Sequence, residues 1–261
     1  MMKAIDCLNE LKAEYRNTDI DWEQILEFGY RTFLSKESHV IDIGGHAARH
    51  SHVFCHEIGC AKLAIFEPLP THATALQERY SNDAHVTVHE CAMGAKAGTA
   101  EFVFNTNSPE ESGLRERRYN NPGIANLEKF QVEVATLDEF CVGFERLDFV
   151  KIDTEGSEVD ILVGGEATIR RLRPLLSIEY GAAAYEAYGK QRGTLFDLME
   201  AYDYSLFDLF GNALDSRDMW EECVDKYYWD YFAAPREQET SFPALLTGQR
   251  NKVEGALIAR A

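Results

Sequence analysis

The apolar positions of this chain fall into two alternating rhythms, short solid runs and longer periodic stretches. Val40 to Ile43, Leu63 to Phe66, Val86 to His89, Leu147 to Ile152 and Leu175 to Ile178 are runs of strand length. Between them, apolar residues recur at helical spacing. Helices are predicted from about Ala47 to Ile58, from Pro70 to about Tyr80, along Val159, Leu162, Ile169 and Leu172, and over Thr194 to Ala201. Pro70 suits a first helical turn, Ser157 followed by Asp160 reads as a capping box, and Pro174 stops a helix. Residues 1–34 read as two amphipathic helices, with Leu8, Leu11 and Tyr15 on one face, then Ile25, Phe28 and Phe33. Ala100 to Phe104 alternates and is expected to pair antiparallel with Gln131 to Val134. Tyr204 to Leu209 with Tyr227 to Phe232 reads as a terminal hairpin. Five β-α units and an antiparallel close make an α/β, doubly wound domain. We expect it over residues 38–235, after a helical extension at 1–37 and before a tail at 236–261.

Ligands in such a sheet bind at the carboxyl ends of the strands. The first strand ends in Asp42-Ile43-Gly44-Gly45-His46, a strand, tight turn and helix start of the kind that holds nucleotide-like cofactors. Glycine at 44 lets backbone approach a ligand. The spacing is not GxGxxG, and a carboxylate beside a pyrophosphate would repel it. Beside the amino-acid end of S-adenosylmethionine (SAM), the same carboxylate can hydrogen-bond an ammonium. The turn therefore favours SAM over NAD. The second strand ends in Phe66-Glu67-Pro68, and Glu67, 23 residues past Gly44, can hold both ribose hydroxyls or else cap the next helix. The fourth ends in Asp153-Thr154-Glu155-Gly156 and the fifth in Glu179-Tyr180. Four acidic strand ends exceed what a purely structural sheet needs.

Those segments, in order, are similar to the FkbM family of class I, SAM-dependent methyltransferases. The matching pieces are VIDIGGHAARHS at 40–51, FEP at 66–68, Ala92 and Gly94, TLDEF at 136–140, DFVKIDTEGSE at 148–158 and IEYG at 178–181. The resemblance covers roughly residues 38–235. It implies a Rossmann-like, seven-stranded, mostly parallel sheet with helices on both faces. It also implies O-methylation of a hydroxyl on a sugar, glycan or polyketide-like small molecule. By position, Asp42, Gly44 and His46 would meet the methionine end of SAM and Glu67 the ribose, and Gly45, Pro68 and Ala92 would also border the cofactor. The family's usual DxGAnxG turn differs here, with His46 in place of Asn and Ala48 in place of the last glycine.

Methyl transfer to an alcohol needs alignment, exclusion of water and a base or metal near the oxygen. All eight histidines lie between His39 and His89, so the second half must work with carboxylates. Asp153 and Glu155 are the catalytic candidates. The structural alternative has Asp153 capping its turn and Glu155 paired with a basic residue. Mg2+ on Asp153 is a secondary option. His46, His50, His52 and His56 cannot form a four-ligand zinc site from one helix, and no metal ligands are assigned. No Asn/Asp-Pro-Pro-aromatic motif follows the fourth strand, which favours O- over N-methylation.

Composition narrows the partners. A formal net charge of −18, from 44 acidic and 26 basic residues, repels phosphate backbones and argues against nucleic acid. Six scattered cysteines without CxxC, no apolar run near ~20 residues and no signal-peptide pattern lead us to expect a cytoplasmic protein. The polar stretch 105–128 is long for a loop, and residues 105–126, with Ser112-Gly113-Leu114 among them, are expected to form a mobile cover over the acceptor pocket. The competing readings are a non-catalytic binding or scaffold protein and a nicotinamide-dependent oxidoreductase. Oligomeric state and the identity of the acceptor are not legible in the sequence.

Overall fold

The computed structural model describes residues 21–226 and 229–246. Ten strands form two sheets: β1 (His39–Ile43), β2 (Lys62–Phe66), β3 (Val86–His89), β4 (Ala92–Met93), β5 (Gly98–Asn105), β6 (Leu127–Ala135), β7 (Phe149–Ile152), β8 (Leu175–Glu179), β9 (Tyr204–Phe207) and β10 (Asp230–Pro235). The main sheet has seven strands in the order β3-β2-β1-β7-β8-β10-β9. Strands β3, β2, β1, β7 and β8 are parallel, and β10 runs antiparallel to both β8 and β9. Every residue of β7 is buried, as expected of a strand covered by helices on both faces. The chain reverses its direction of winding between β1 and β7, which opens a crevice beyond their carboxyl ends.

Three local readings are corrected. The first crossover helix does not start at Ala47: His46 and Ala48 have φ of 40° and 68°, so the helix begins at Arg49. Its second half, Val53–Ile58, is π-helical and ends at Gly59 in the left-handed region. Ala100 to Phe104 does pair antiparallel with the 128–132 stretch, but in a separate three-stranded sheet, β4-β6-β5, outside the main one. The closing pair is antiparallel, as expected, but no short turn joins its strands. The helix Arg217–Cys223 lies between β9 and β10, and β10 begins at Asp230; Tyr227 lies outside the described residues.

The described parts of both flanking segments, residues 21–37 and 236–246, pack into the same core. In the helix Trp22–Phe33, Asp21 caps by accepting from the Gln24 amide at 3.1 Å, and Ile25, Leu26 and Tyr30 enter the main core. The Tyr30 ring meets Phe54, Phe149 and Phe232 at centroid distances of 5.0, 5.3 and 6.3 Å. Phe242 and Leu246, from the expected tail, are each 1% exposed in that core. The expected helix around Leu8, Leu11 and Tyr15 lies outside the described residues. Among the described residues no helix is long and apolar enough to cross a membrane.

Candidate active site

A cleft of about 370 Å³ opens where β1, β2, β7 and β8 end. One half is built mainly from backbone. The Gly44 and Gly45 amides donate to the Phe66 carbonyl at 2.9 and 3.1 Å, folding the turn back onto β2. Gly44 has φ +92°, and a Cβ there would lie 1.8 Å from the Asp153 carbonyl oxygen. A Cβ on Gly45 would sit 2.4 Å from Ile65 Cγ2. Both glycines are therefore required by packing. The Glu67 carboxylate accepts from the His46 amide at 2.8 Å and from the Leu69 amide at 2.9 Å. Burial pushes Glu67 up to about 6, against the pull of those two donors. His46 meets His72 edge to face at 4.8 Å. Pro68, Leu69, Ala92, Met93 and Phe102 add apolar wall.

Asp42 is the exception among the expected cofactor residues. It is 2% exposed and does not line the cleft. Helix residue Ser51 packs across from it and donates a 2.5 Å hydrogen bond to Oδ2, while Oδ1 is buried without a hydrogen-bond partner. Burial raises its pKa, opposed by the Lys151 ammonium. Asp42 thus lies beneath the turn, where it faces protein.

The other half is built from charged side chains. Lys151, 2% exposed, donates to Asp153 Oδ2 at 2.8 Å. Desolvation resists ionisation of Asp153, but Lys151 and a proton shared from Glu179 outweigh it and bring the carboxyl down to about 2. Glu179 is held well above the carboxylate range by burial and by its acidic neighbours Asp153 and Asp230. Asp230 is raised too, by burial and then by Glu23 and Asp153. Glu23 pairs with His50 Nε2, which overcomes burial and lowers its pKa. Trp229 stands at the rim, in space that Gly181 leaves open: a Cβ there would be 2.8 Å from the indole.

The 106–126 segment does reach over this cleft, through Pro109 to Leu114, Arg117 and Asn120. It is tied down by side chains. Arg117, buried, forms an ion pair with Glu155, whose backbone has φ +61°. Arg115 lies 5.2 Å over the Tyr188 ring, and Glu111 accepts from the Asn120 amide at 2.8 Å. Gly113 is no hinge, because it exchanges two backbone hydrogen bonds with Val103. Glu155, expected to act on the acceptor, is instead occupied by Arg117. The expected capping box is also replaced: Ser157 makes no cap bond, and Glu158 accepts from the amides of Thr154 and Gly156 at 3.0 and 2.9 Å.

With this geometry in hand, the comparisons decide the family. Residues 42–206 match the model of the Methyltransferase FkbM domain. The chain belongs to the FkbM methyltransferase family. Among curated relatives, the 2-O-methyltransferase NoeI of Sinorhizobium fredii is 24% identical over 175 residues, covering 63% of this chain and 72% of that protein. Methyltransferase 1 of Beauveria bassiana is 26% identical over 145 residues, 49% of this chain and 58% of its own length. The crystal structure of an FkbM methyltransferase from Methylobacillus flagellatus aligns with 18% identity and a TM-score of 0.47, covering 77% of this chain and 44% of that one.

Sequence reasoning missed Lys151, Arg117, Glu23 and Trp229 as parts of this FkbM site. Lys151 left one signal, a lysine inside the solid apolar strand FVKI, since a buried ammonium must find carboxylates. The others come from distant segments and carry no local mark.

Proposed function

We propose that this FkbM-family chain transfers the methyl group of SAM to a hydroxyl of a sugar or polyketide-like small molecule. The carrying observation is the two-sided cleft, with a backbone-built, largely apolar half against a half lined by carboxylates and an indole. The first half fits SAM. Glu67 spends one hydrogen bond per oxygen on the chain's own amides, and a carboxylate oxygen has a second lone pair for a ribose hydroxyl. Gly44, Gly45 and His46 border the methionine side, and Ala92, Met93 and Pro68 offer the apolar slot a purine needs. Bound SAM supplies an electrophilic methyl whose leaving group departs without help.

The chain's own residues then align the acceptor and receive its proton. Asp153, ionised beside Lys151, accepts a hydrogen bond from the acceptor hydroxyl and takes its proton as the oxygen is methylated. Glu179, protonated, donates to Asp153 and keeps that carboxylate oriented. Lys151 already supplies the positive charge beside Asp153, so the reading assigns no step to Mg2+. Trp229 and the neighbouring carboxylates suit a ring with an apolar face and hydroxyl edges. The name of the relative NoeI, a 2-O-methyltransferase, supports oxygen as the acceptor atom. Glu155 and Arg117 hold the covering segment and keep water out.

Calorimetry with SAM and with NAD, followed by a labelled-methyl assay over glycans and polyketide aglycones, tests this reading. SAM binding with methylated hydroxyl products is expected. A folded protein that binds neither ligand would favour a scaffold, and one that binds only NAD an oxidoreductase.

A further inference from the structure

A second group of metal-ligating side chains gathers away from the cleft, and none of its members lines it. Cys55 and His56 sit on the π-helical stretch Val53–Ile58, and Asp83 and His85 on the segment leading into β3. Cys55 Sγ lies 3.6 Å from His56 Nδ1 and 3.6 Å from His85 Nε2. His56 Nε2 is 3.9 Å from Asp83 Oδ2. One ligand atom each from Cys55, His56 and Asp83 can be chosen so that all lie within 4.8 Å of one another. We infer that Cys55, His56, Asp83 and His85 form a binding site for one Zn2+ ion.

The donor set is one sulfur, two imidazole nitrogens and one carboxylate oxygen, which is zinc chemistry rather than that of Mg2+ or Ca2+. Ligands at zinc–sulfur and zinc–nitrogen bond lengths in a tetrahedron stand about 3.5 Å apart; Cys55 and His85 are already at 3.6 Å, and the Cys55, His56 and Asp83 ligand atoms, within 4.8 Å of one another, would draw in on binding. The helix is also unusual at this point. A π-helical stretch is a rare geometry that often marks a functional site. The four residues come from two segments, so the objection to a zinc site on a single helix does not apply.

On binding, a Zn–S bond forms as the Sγ–H proton leaves to solvent, and thiolate and Asp83 together balance the ion's two charges. The ion would pin the first crossover helix to the chain entering β3, bracing the β1–β2–β3 end of the sheet.

The test uses the full chain, stripped with EDTA and titrated with ZnCl2 against a chromophoric chelator, then with CoCl2. One zinc per chain is expected, with a proton released, a higher Tm and a thiolate-to-cobalt charge-transfer band. His85→Ala and Asp83→Asn, at partly exposed positions, are expected to stay folded by circular dichroism and to lose most of the bound zinc. Cys55→Ser is expected to remove the cobalt–thiolate band. Absence of stoichiometric zinc in the unaltered chain would overturn the inference. So would zinc affinity unchanged in folded His85→Ala and Asp83→Asn proteins.

Discussion

The two halves of the cleft are made in opposite ways. The β1–β2 half owes its shape to backbone: two glycines, amides turned onto Phe66 and Glu67, and a helix start displaced to Arg49. Those backbone contacts all fall between Gly44 and Leu69. The β7–β8 half owes its shape to charge. Glu23, Lys151, Asp153, Glu179 and Asp230 come from four elements and set one another's protonation. A backbone-built site tolerates little change in shape. A charge-built site tolerates little change in protonation, and the two should fail differently.

The largest effect is expected where the halves touch. Gly44→Ala puts a methyl group into the Asp153 carbonyl at a φ of +92°, and should cost at least about 4 kcal/mol in urea unfolding. A loss under 1 kcal/mol would mean that the turn can move away from β7. Next comes Lys151→Met, which leaves Asp153 and Asp42 without their buried cation and should cost about 3–5 kcal/mol at pH 7. The sign follows from the shifts. Asp153 is depressed, so the stability it draws from Lys151 is present above its ordinary 3.8 and fades as pH falls toward about 2. Lys151 is raised, so its share is complete below its ordinary 10.5. The gap between the two proteins in pH-dependent melts should therefore be widest between those limits and close in acid.

Asp153→Asn separates the halves functionally. Turnover in the labelled-methyl assay should fall ~100-fold while calorimetric SAM affinity stays close to normal. Equal losses in both would place Asp153 on the cofactor instead. Glu67 gives the mirror-image test at smaller scale. Protonated, it loses acceptor capacity for ribose hydroxyls, and burial has raised it to about 6. SAM affinity should be flat above that pH and fall by up to about tenfold per unit below it. A flat profile from pH 5 to 7.5 would remove Glu67 from the cofactor. The smallest effect concerns the cover: Arg117→Ala should speed proteolysis within 106–126 and leave SAM binding almost unchanged. Cleavage at the same rate would mean that Glu155 does not hold the segment.

The parallel strands, the glycine turn, Glu67 at its strand end and the order of the acidic strand ends were legible in the sequence. Each rests on local periodicity or on neighbours a few residues away, which a linear reading can see. The small second sheet was half legible: the pairing of β5 with β6 shows in alternation, but separation from the main sheet does not. That Asp42 faces protein was not legible, because a strand residue's direction depends on what packs across from it, here Ser51 of the following helix. Of the two readings of Glu155, the structure shows the ion pair with a basic residue; which residue was not legible, since Arg117 is 38 residues upstream in a segment that looks merely polar.

By itself, then, the sequence determined the sheet and the crevice at its reversal. Those depend on backbone preference and apolar pattern, both short-ranged along the chain. Only the tertiary structure decided which carboxylates burial and neighbouring charge shift, which are spent on structure, and that Cys55, His56, Asp83 and His85 lie close together. Those depend on distances through space and on loss of water, and neither is a property of any one segment.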